Sequence, residues 1–282
     1  MTAAVSVGAE PDPPRPARKS RTARTAFGGG RRQLSPVKRW ALRLTSVVVL
    51  LGAWQIYGRT RPILLSTPSA VFTAGVDMIR DGTLPHALAT SLAELGIGFS
   101  TGAVAGVLLG LAAGRSQIVE ALLDLPVNAF YATPMVALIP VFVLWFGFGL
   151  TSKAIIVFFF VVFTVFISTV RGVHEVDPEL IEVARSFCSS ERRMWMDVIL
   201  PSCLPYIVTG LRLAIGRALI GVIVAEFYTA LAGLGYLITS SASNFETART
   251  WVPIVVIALI GIILTAVLEW AERRLARWRR TT

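Results

Sequence analysis

Six long apolar runs, separated by short polar segments, occupy the chain from Trp40 onward. A helix needs about 20 apolar residues to cross a bilayer, and most of the runs are close to that length. They predict membrane spans at about 40–57, 86–114, 125–149, 154–171, 204–229 and 251–268. The pattern therefore favours an all-α membrane protein, a bundle of six transmembrane helices. Before the second span, Thr67-Pro68-Ser69 predicts the start of a short helix at the membrane surface.

One polar segment, residues 182–201, interrupts this pattern with the sequence EVARSFCSSERRMWMDVILP. Its charged residues are Glu182, Arg185, Glu191, Arg192, Arg193 and Asp197. Apolar residues recur among them at helical spacing, which predicts a short amphipathic helix, a break and a second short helix. Pro201 is expected to begin the fifth span at a sharp corner. Such a pair between two spans indicates a docking surface, with exposed charges suited to a polar contact.

The second predicted span carries a glycine at every fourth position. These residues are Gly98, Gly102, Gly106, Gly110 and Gly114. Positions four apart share one face of a helix, and small residues there let another helix approach closely in a membrane. Two interpretations remain open, a tight helix–helix or subunit seam and ordinary packing within one bundle.

The third predicted span contains three prolines, Pro126, Pro134 and Pro140, so we expect a kinked or broken helix. Irregular backbone inside a membrane is tolerated where it lines a cavity or packs on protein. Pro134 and Pro140 are therefore candidates for a translocation path, with plain structural kinking as the alternative. After this span, two glycines and Ser152-Lys153 predict a tight turn on the outer side.

The fifth predicted span contains three charged residues, Arg212, Arg217 and Glu226. A charge inside a membrane is costly, so such residues usually face a bundle interior or a cavity. Arg212 lies near the start of the span and is interpreted as an anchor that reaches the interface. Arg217 lies deeper and favours either a structural ion pair, for example with the partner subunit's Glu226, or a contact on an anion path. Arg217 and Glu226 are therefore further candidates for the translocation path.

Composition supports an integral membrane protein. Of the 282 residues, 54% are hydrophobic and 16% are charged, whereas a soluble domain carries about a quarter charged residues. The net charge of +10 does not indicate nucleic-acid binding, because most basic residues flank the apolar runs. The two cysteines, Cys188 and Cys203, and the two histidines lack metal-ligand spacing, so no metal site is predicted.

The distribution of lysine and arginine orients the predicted spans. Basic residues are concentrated before Trp40, in and around the polar segment, and after Glu269. Because cytoplasmic segments carry the excess of Lys and Arg, both termini and the coupling segment 175–201 are predicted to be cytosolic. Residues 1–37 are predicted to be a disordered basic tail, and 38–282 a transmembrane domain.

The polar segment also contains a spaced set of residues. Glu182-Val183-Ala184 is followed after three residues by Cys188, and after nine more by Val198-Ile199-Leu200-Pro201. This spacing resembles the EAA-x3-G-x9-I-x-L-P signature of permease subunits of bacterial ABC importers. Val183 stands where the signature has alanine, Val198 where it has isoleucine, and Cys188 where it has glycine. Glycine there permits a left-handed turn between the two short helices, so the cysteine is the larger departure.

Other stretches are similar to the nitrate, sulfonate and taurine branch of these permeases, and the resemblance covers roughly residues 62–280. They are TPSA at 67–70, ALIP at 137–140, LWFG at 144–147, VAE at 224–226 and GLGYL at 233–237. The resemblance implies the architecture of a type I ABC importer permease in the bacterial inner membrane. It assigns coupling to the ATPase to Glu182, Ala184, Arg185, Cys188, Leu200 and Pro201. It implies a small solute, an organic or inorganic anion such as a sulfonate, taurine or nitrate.

The resemblance also implies partners: a second permease copy, with a homodimer expected, two cytosolic ATPase subunits and an extracytoplasmic substrate-binding protein. The chain has no Gly-rich Lys-Ser/Thr loop to cradle phosphates, so it is not predicted to be an enzyme. ATP and Mg²⁺ are expected on the partner ATPase, and no cofactor is expected in this chain. The alternative is a stand-alone secondary transporter or channel, which predicts inverted repeats and intramembrane carboxylates, here Glu94 and Glu226.

Overall fold

The computed structural model describes residues 35–60, 65–229 and 231–275, and every regular element among them is a helix. Residues 1–34 of the predicted basic tail lie outside this range, so that prediction stays open. The chain divides into two compact units, Met1–Val48 and Val49–Thr282. The described part of the first unit is the beginning of one helix, and the features below belong to the second.

The helices are α1 Pro36–Thr60, α2 Pro68–Arg80, α3 Thr83–Arg115, α4 Gln117–Ala132, α5 Met135–Phe146, α6 Leu150–His174, α7 Pro178–Ser186, α8 Glu191–Arg193, α9 Leu200–Thr229, α10 Leu234–Ser243 and α11 Thr247–Leu275. A π-helical turn, Met194–Ile199, joins α8 to α9. Five stretches are long and apolar enough to cross a membrane: Trp40–Thr60, Thr83–Arg115, Leu150–His174, Glu191–Thr229 and Thr247–Arg274. The bent pair α4–α5 supplies the sixth when it counts as one span, in agreement with the predicted bundle of six.

The centre of the fold is the packing of α6 against α3 and α9, because the glycine face of α3 admits α6 at close range. A Cβ atom added to Gly98 would lie 2.5 Å from the Cβ of Val157, and one added to Gly106 would lie 2.8 Å from the Cβ of Val165. The glycine face is therefore filled by a helix of the same chain. Of the two interpretations left open by the sequence, the structure supports packing within one bundle.

The third span is broken once, not kinked at each proline. Helices α4 and α5 meet at 100°, with Thr133 and Pro134 between them. Thr133 has the extended backbone that a following proline favours, with ψ of 134°, and Pro134 is the N-cap of α5. Pro126 and Pro140 remain inside their helices. The expected broken span is thus confirmed, and the bend lies at Pro134.

Candidate functional site

Helix α7 is anchored at its start and buries one face. The side chain of Asp177 accepts a hydrogen bond from the backbone N–H of Glu179 at 2.9 Å, and Pro178 occupies the first helical position. Ala184 is buried, and Ile181 packs on an apolar cluster. The buried members of that cluster are Val176, Ile199, Cys203 and Ile207, which tie α7 to the end of α6 and the beginning of α9.

The other face of α7 carries an exposed apolar ridge. Leu180, Val183 and Phe187 are 49%, 52% and 81% exposed, and they recur at the spacing of one helix face. Glu182 and Arg185 are exposed beside them. Sequence reasoning assigned the contact to charges and overlooked the ridge, although the apolar spacing at 180, 183 and 187 was visible in the sequence.

The turn after α7 keeps a left-handed residue although glycine is missing there. Cys188 has φ of +51°. The N–H of Ser189 donates to the carbonyl of Ala184 at 3.1 Å, and the N–H of Cys188 donates to that of Arg185 at 2.9 Å. These two bonds define a Schellman motif, in which glycine is the usual left-handed residue. The cysteine therefore replaces glycine without changing the direction of the turn.

The polypeptide after this turn is one continuous helix, so the predicted sharp corner at Pro201 is wrong. Ser190 caps α8, accepting from the N–H of Arg193 at 3.4 Å, and the helix runs from Glu191 to Thr229. Within it, the N–H of Leu200 donates to the carbonyl of Trp195, five residues earlier. This wider turn directly precedes a proline that has no N–H to donate, and the chain stays helical.

The six predicted coupling residues lie in two different environments. Glu182, Arg185 and Cys188 are exposed around the outer face of α7 and the turn after it, where a partner can reach them. The other three pack inward: Ala184 is buried, and Leu200 and Pro201 are half-buried in the continuous helix. The first group therefore suits contact, and the second suits support of that contact.

A second candidate region is a cavity of about 150 Å³ at the bend of the broken span. It is lined by Tyr131, Thr133, Met135, Phe159, Phe160, Phe163 and Arg217. Pro134 lies in the chain between two of these lining residues, whereas Pro140 is exposed on α5 and does not line the cavity. The structure thus brings Arg217 and the bend at Pro134 together.

Glu226 lies in a different place, a buried polar cluster. Its Oε1 accepts a hydrogen bond from the hydroxyl of Ser91 at 2.5 Å, and its Oε2 accepts from the N–H of Gly235 at 2.6 Å. Glu226 is nine residues beyond Arg217 on α9, which puts the two side chains on opposite faces. The structure therefore separates Glu226 from the cavity, and both its carboxylate oxygens have partners within the chain.

Lys153 belongs to this cluster, so its predicted place in an outer turn is wrong. It lies in the first part of α6 and is 3% exposed. Its Nζ donates to Glu94 and also to the carbonyl of Ala232 at 3.3 Å. The apolar run of the sequence begins at Ala154, which hid the fact that the helix starts earlier, at Leu150.

Long apolar helices, a short amphipathic helix between two of them and a cavity at a broken span are features of a multi-span membrane transport protein. Among the described residues no group of three or more His, Cys, Asp and Glu is arranged to hold a metal ion. A family model for the inner membrane component of binding-protein-dependent transport systems matches residues 102–281. The chain belongs to that family, and it is the permease component of an ABC importer.

Two relatives support this assignment, and one solved structure has a similar fold. The chain is 32% identical over 243 residues to a permease protein of Bacillus subtilis (strain 168) named for aliphatic sulfonates transport, covering 85% of this chain and 88% of that one. It is 35% identical over 250 residues to the Escherichia coli (strain K12) protein of the same name, covering 86% and 95%. The crystal structure of an amino acid ABC transporter shares the fold, with TM-score 0.53, 20% identity, and coverage of 68% of this chain and 91% of that one.

Proposed function

We propose that this chain forms the translocation path of an ATP-driven importer for a small anion. Two copies of the chain form the path, an extracytoplasmic binding protein delivers the solute, and two cytosolic ATPase subunits hold and hydrolyse ATP with Mg²⁺. The chain itself holds no cofactor and is not an enzyme in this scheme. The sulfonate transport named for both relatives supports an anion, with sulfonates, taurine and nitrate as the candidate solutes.

The proposed orientation places both termini and residues 175–201 on the cytosolic side of the inner membrane. Its support is the charge distribution, since Arg171, Arg185, Arg192 and Arg193 lie in or beside this segment. The chain end beyond Glu269 carries a further group of arginines. The ATPase subunits are cytosolic in the proposal, so this orientation brings the segment to them.

The observation that carries the proposal is the exposed ridge of α7. Leu180, Val183 and Phe187 are apolar and exposed on a helix that lies outside the long spans. Exposed contiguous apolar residues outside the lipid region mark a site of protein contact. Glu182 and Arg185 flank the ridge and supply the polar rim that such an interface needs. We therefore assign the ridge and its rim to contact with the ATPase.

The test is ATP-dependent uptake by the importer complex in proteoliposomes, measured together with ATP hydrolysis. Glu182→Lys reverses a rim charge, and Phe187→Asp removes an apolar anchor. Phe187→Asp should lower uptake about tenfold or more, because a central interface side chain contributes about 2 kcal/mol or more. Glu182→Lys should lower uptake by a smaller factor, because rim charges contribute less. Hydrolysis should continue without matching transport, and the amount of inserted chain should not change. Asp77→Lys is the control charge reversal, because Asp77 is exposed on α2 and lies outside residues 175–201.

Full uptake by both α7 variants at normal expression would contradict docking through this segment. Uptake that survives ATP depletion but collapses with an ion gradient would instead support a stand-alone secondary transporter.

A further inference from the structure

Arg217 is a charge inside a membrane span for which the described residues supply no carboxylate. It lies about 18 Å along α9 from the helix end at Thr229, at about 1.5 Å per residue. None of the ion pairs within residues 35–60, 65–229 and 231–275 includes it. Arginines at such depth normally pair with an acid or face a polar cavity. The cavity at the bend of the broken span is where Arg217 lies.

Tyr131 holds the guanidinium in place without neutralising it. An Nη2 hydrogen donates to the phenolic oxygen of Tyr131 at 2.7 Å, and the guanidinium carbon lies 4.5 Å from the centroid of the same ring. The bond uses one N–H group, and the planar fork has further donors for a bidentate contact with an oxyanion. The positive charge therefore remains available in the wall of the cavity.

Three aromatic rings form much of the remaining wall of the cavity, beside Thr133 and Met135. Its walls include Phe159, Phe160 and Phe163. The ring of Phe163 stacks on Phe130 with centroids 5.6 Å apart, and the ring of Phe159 stacks on Phe142 at 5.0 Å. These second contacts fix the orientation of the walls before any solute arrives. A cavity lined by one guanidinium and three aromatic rings fits a ligand that carries both an anionic group and an apolar part.

We propose that Arg217, Tyr131 and the three phenylalanines form a site inside the permease for an organic monoanion with a compact oxyanion head and a short apolar body. This rests on the proposed function and deepens it, because it selects an organic solute over an inorganic one. Nitrate would use only the guanidinium end, and its other oxygens would face rings that cannot replace lost water. An alkyl or aryl sulfonate places its charge on Arg217 and its carbon atoms on the rings.

The competing occupant is a carboxylate of a second copy of the chain. Glu226, which the sequence suggested for that role, lies on the opposite face of α9 and has partners within its own chain. A subunit ion pair and a solute site make different predictions for the same Arg217 variants, so anion binding and dissociation of the dimer are both measured.

The first measurement is calorimetric binding of ethanesulfonate and of nitrate to the purified permease–ATPase complex without its binding protein. The second is ATP-dependent uptake of both anions by the full importer. Arg217→Gln should weaken ethanesulfonate binding at least about tenfold and raise the KM of uptake similarly. Arg217→Lys should give an intermediate loss, because it keeps the charge but not the fork. Arg249→Gln is the matched control, at an exposed arginine on α11, and should change neither quantity.

Phe163→Ala tests the apolar walls separately. The enlarged cavity should shift binding preference from ethanesulfonate towards benzenesulfonate, while the thermal midpoint of the complex reports whether the fold survives.

Three results would overturn the site. The first is ethanesulfonate binding that is absent from the wild type or unchanged in Arg217→Gln, and the second is nitrate binding with an affinity equal to that of ethanesulfonate. The third is dissociation of the permease dimer in Arg217→Gln, which would identify a subunit ion pair. If the wild-type importer carries neither anion when ATP is supplied, the proposed function fails as well. If it carries ethanesulfonate and Arg217→Gln is unaffected, only this inference fails.

Discussion

The Nζ of Lys153 lies 2.7 Å from Oε1 of Glu94, and the two side chains are 4% and 1% exposed. The pair joins α3 to α6 in the part of the bundle where Ser91 and Glu226 join α3 to α9. Two acids and one lysine thus form a polar cluster within otherwise apolar packing. Each member depends on the others, because a buried charge without a partner is strongly unfavourable.

Lys153→Met should destabilise the protein by about 3–5 kcal/mol, since it leaves the Glu94 carboxylate buried without its cation. The double variant Glu94→Gln with Lys153→Met should recover much of the loss. The measurement is the thermal midpoint of the detergent-purified complex. Arg171→Met is the control, because Arg171 and Glu175 form an exposed pair at 3.9 Å, worth about 0–1 kcal/mol. Equal effects of the two single variants would contradict a structural role for the buried pair.

The glycine face of α3 predicts a contrast with Gly96, a glycine of the same helix that lies off that face. Gly106→Ala should cost about 1–3 kcal/mol, because its Cβ would lie 2.8 Å from the carbonyl oxygen of Val162, a backbone atom that cannot rotate away. Gly96→Ala should be neutral or stabilising by up to about 1 kcal/mol, since its Cβ would meet nothing within 4 Å. Both are measured as yield and thermal midpoint in detergent. A Gly106→Ala protein as stable as Gly96→Ala would refute the close α3–α6 contact.

Cys188→Gly should stabilise the turn after α7. A non-glycine residue in the left-handed region costs about 1–2 kcal/mol, and the greater freedom of glycine when unfolded offsets about half of that. We expect a gain of about 0.5–1 kcal/mol in thermal unfolding. Cys188→Val should destabilise, because a β-branched side chain fits this backbone least well. Phe245, which has φ of +58° after α10, offers a parallel case, and Phe245→Gly should show a similar gain.

Asp81 gives the fold a pH-dependent contact outside the long spans. Hydrogen bonds from the hydroxyl and the N–H of Thr83, with the charge of Arg249 adding to them, lower the pKa of Asp81 below its ordinary value of 3.8. A lowered folded-state pKa means that the contact stabilises the protein above the unfolded-state pKa and is lost as pH falls through the folded value. The thermal midpoint of Asp81→Asn should therefore lie below that of the wild type at pH 7, and the difference should shrink below about pH 4. A difference that stays constant to pH 3 would contradict this.

Features set by local chemistry or by periodicity could be predicted from the sequence. The cap at Thr67 is one, since its hydroxyl accepts from the N–H of Ala70 at 3.3 Å as the motif predicts. The glycine spacing of α3 is another, and so is a break somewhere in the proline-containing third span, although its position at Pro134 was not predicted, since Pro126 and Pro140 stay inside helices. The left-handed turn at Cys188 is also the turn that the signature predicts, although the signature has glycine at this position.

Features that join distant parts of the chain could not be read in this way. Lys153 and Glu94 are 59 positions apart, and the local sequence around either residue does not indicate its partner. The corner predicted at Pro201 is absent, because the wider helical turn before it accommodates the missing N–H of the proline. That turn depends on how the backbone hydrogen bonds are paired, which the residue composition does not reveal. Arg217 is visible in the sequence as a charge within an apolar span, but its neighbour Tyr131 comes from another span.

The unbroken helix from Glu191 to Thr229 has a mechanical consequence. Its 39 residues extend about 58 Å at about 1.5 Å per residue, from the cap at Ser190 to the turn that carries Glu226. Because the backbone stays helical between these ends, through the π-helical turn and past Pro205, a rotation imposed at one end is passed along to the other. In the proposed importer, ATP binding on the cytosolic side would rotate the Ser190 end of this helix, and the rotation would move the Glu226 end on the opposite side of the membrane. The π-helical turn is the section of the helix that deforms most easily.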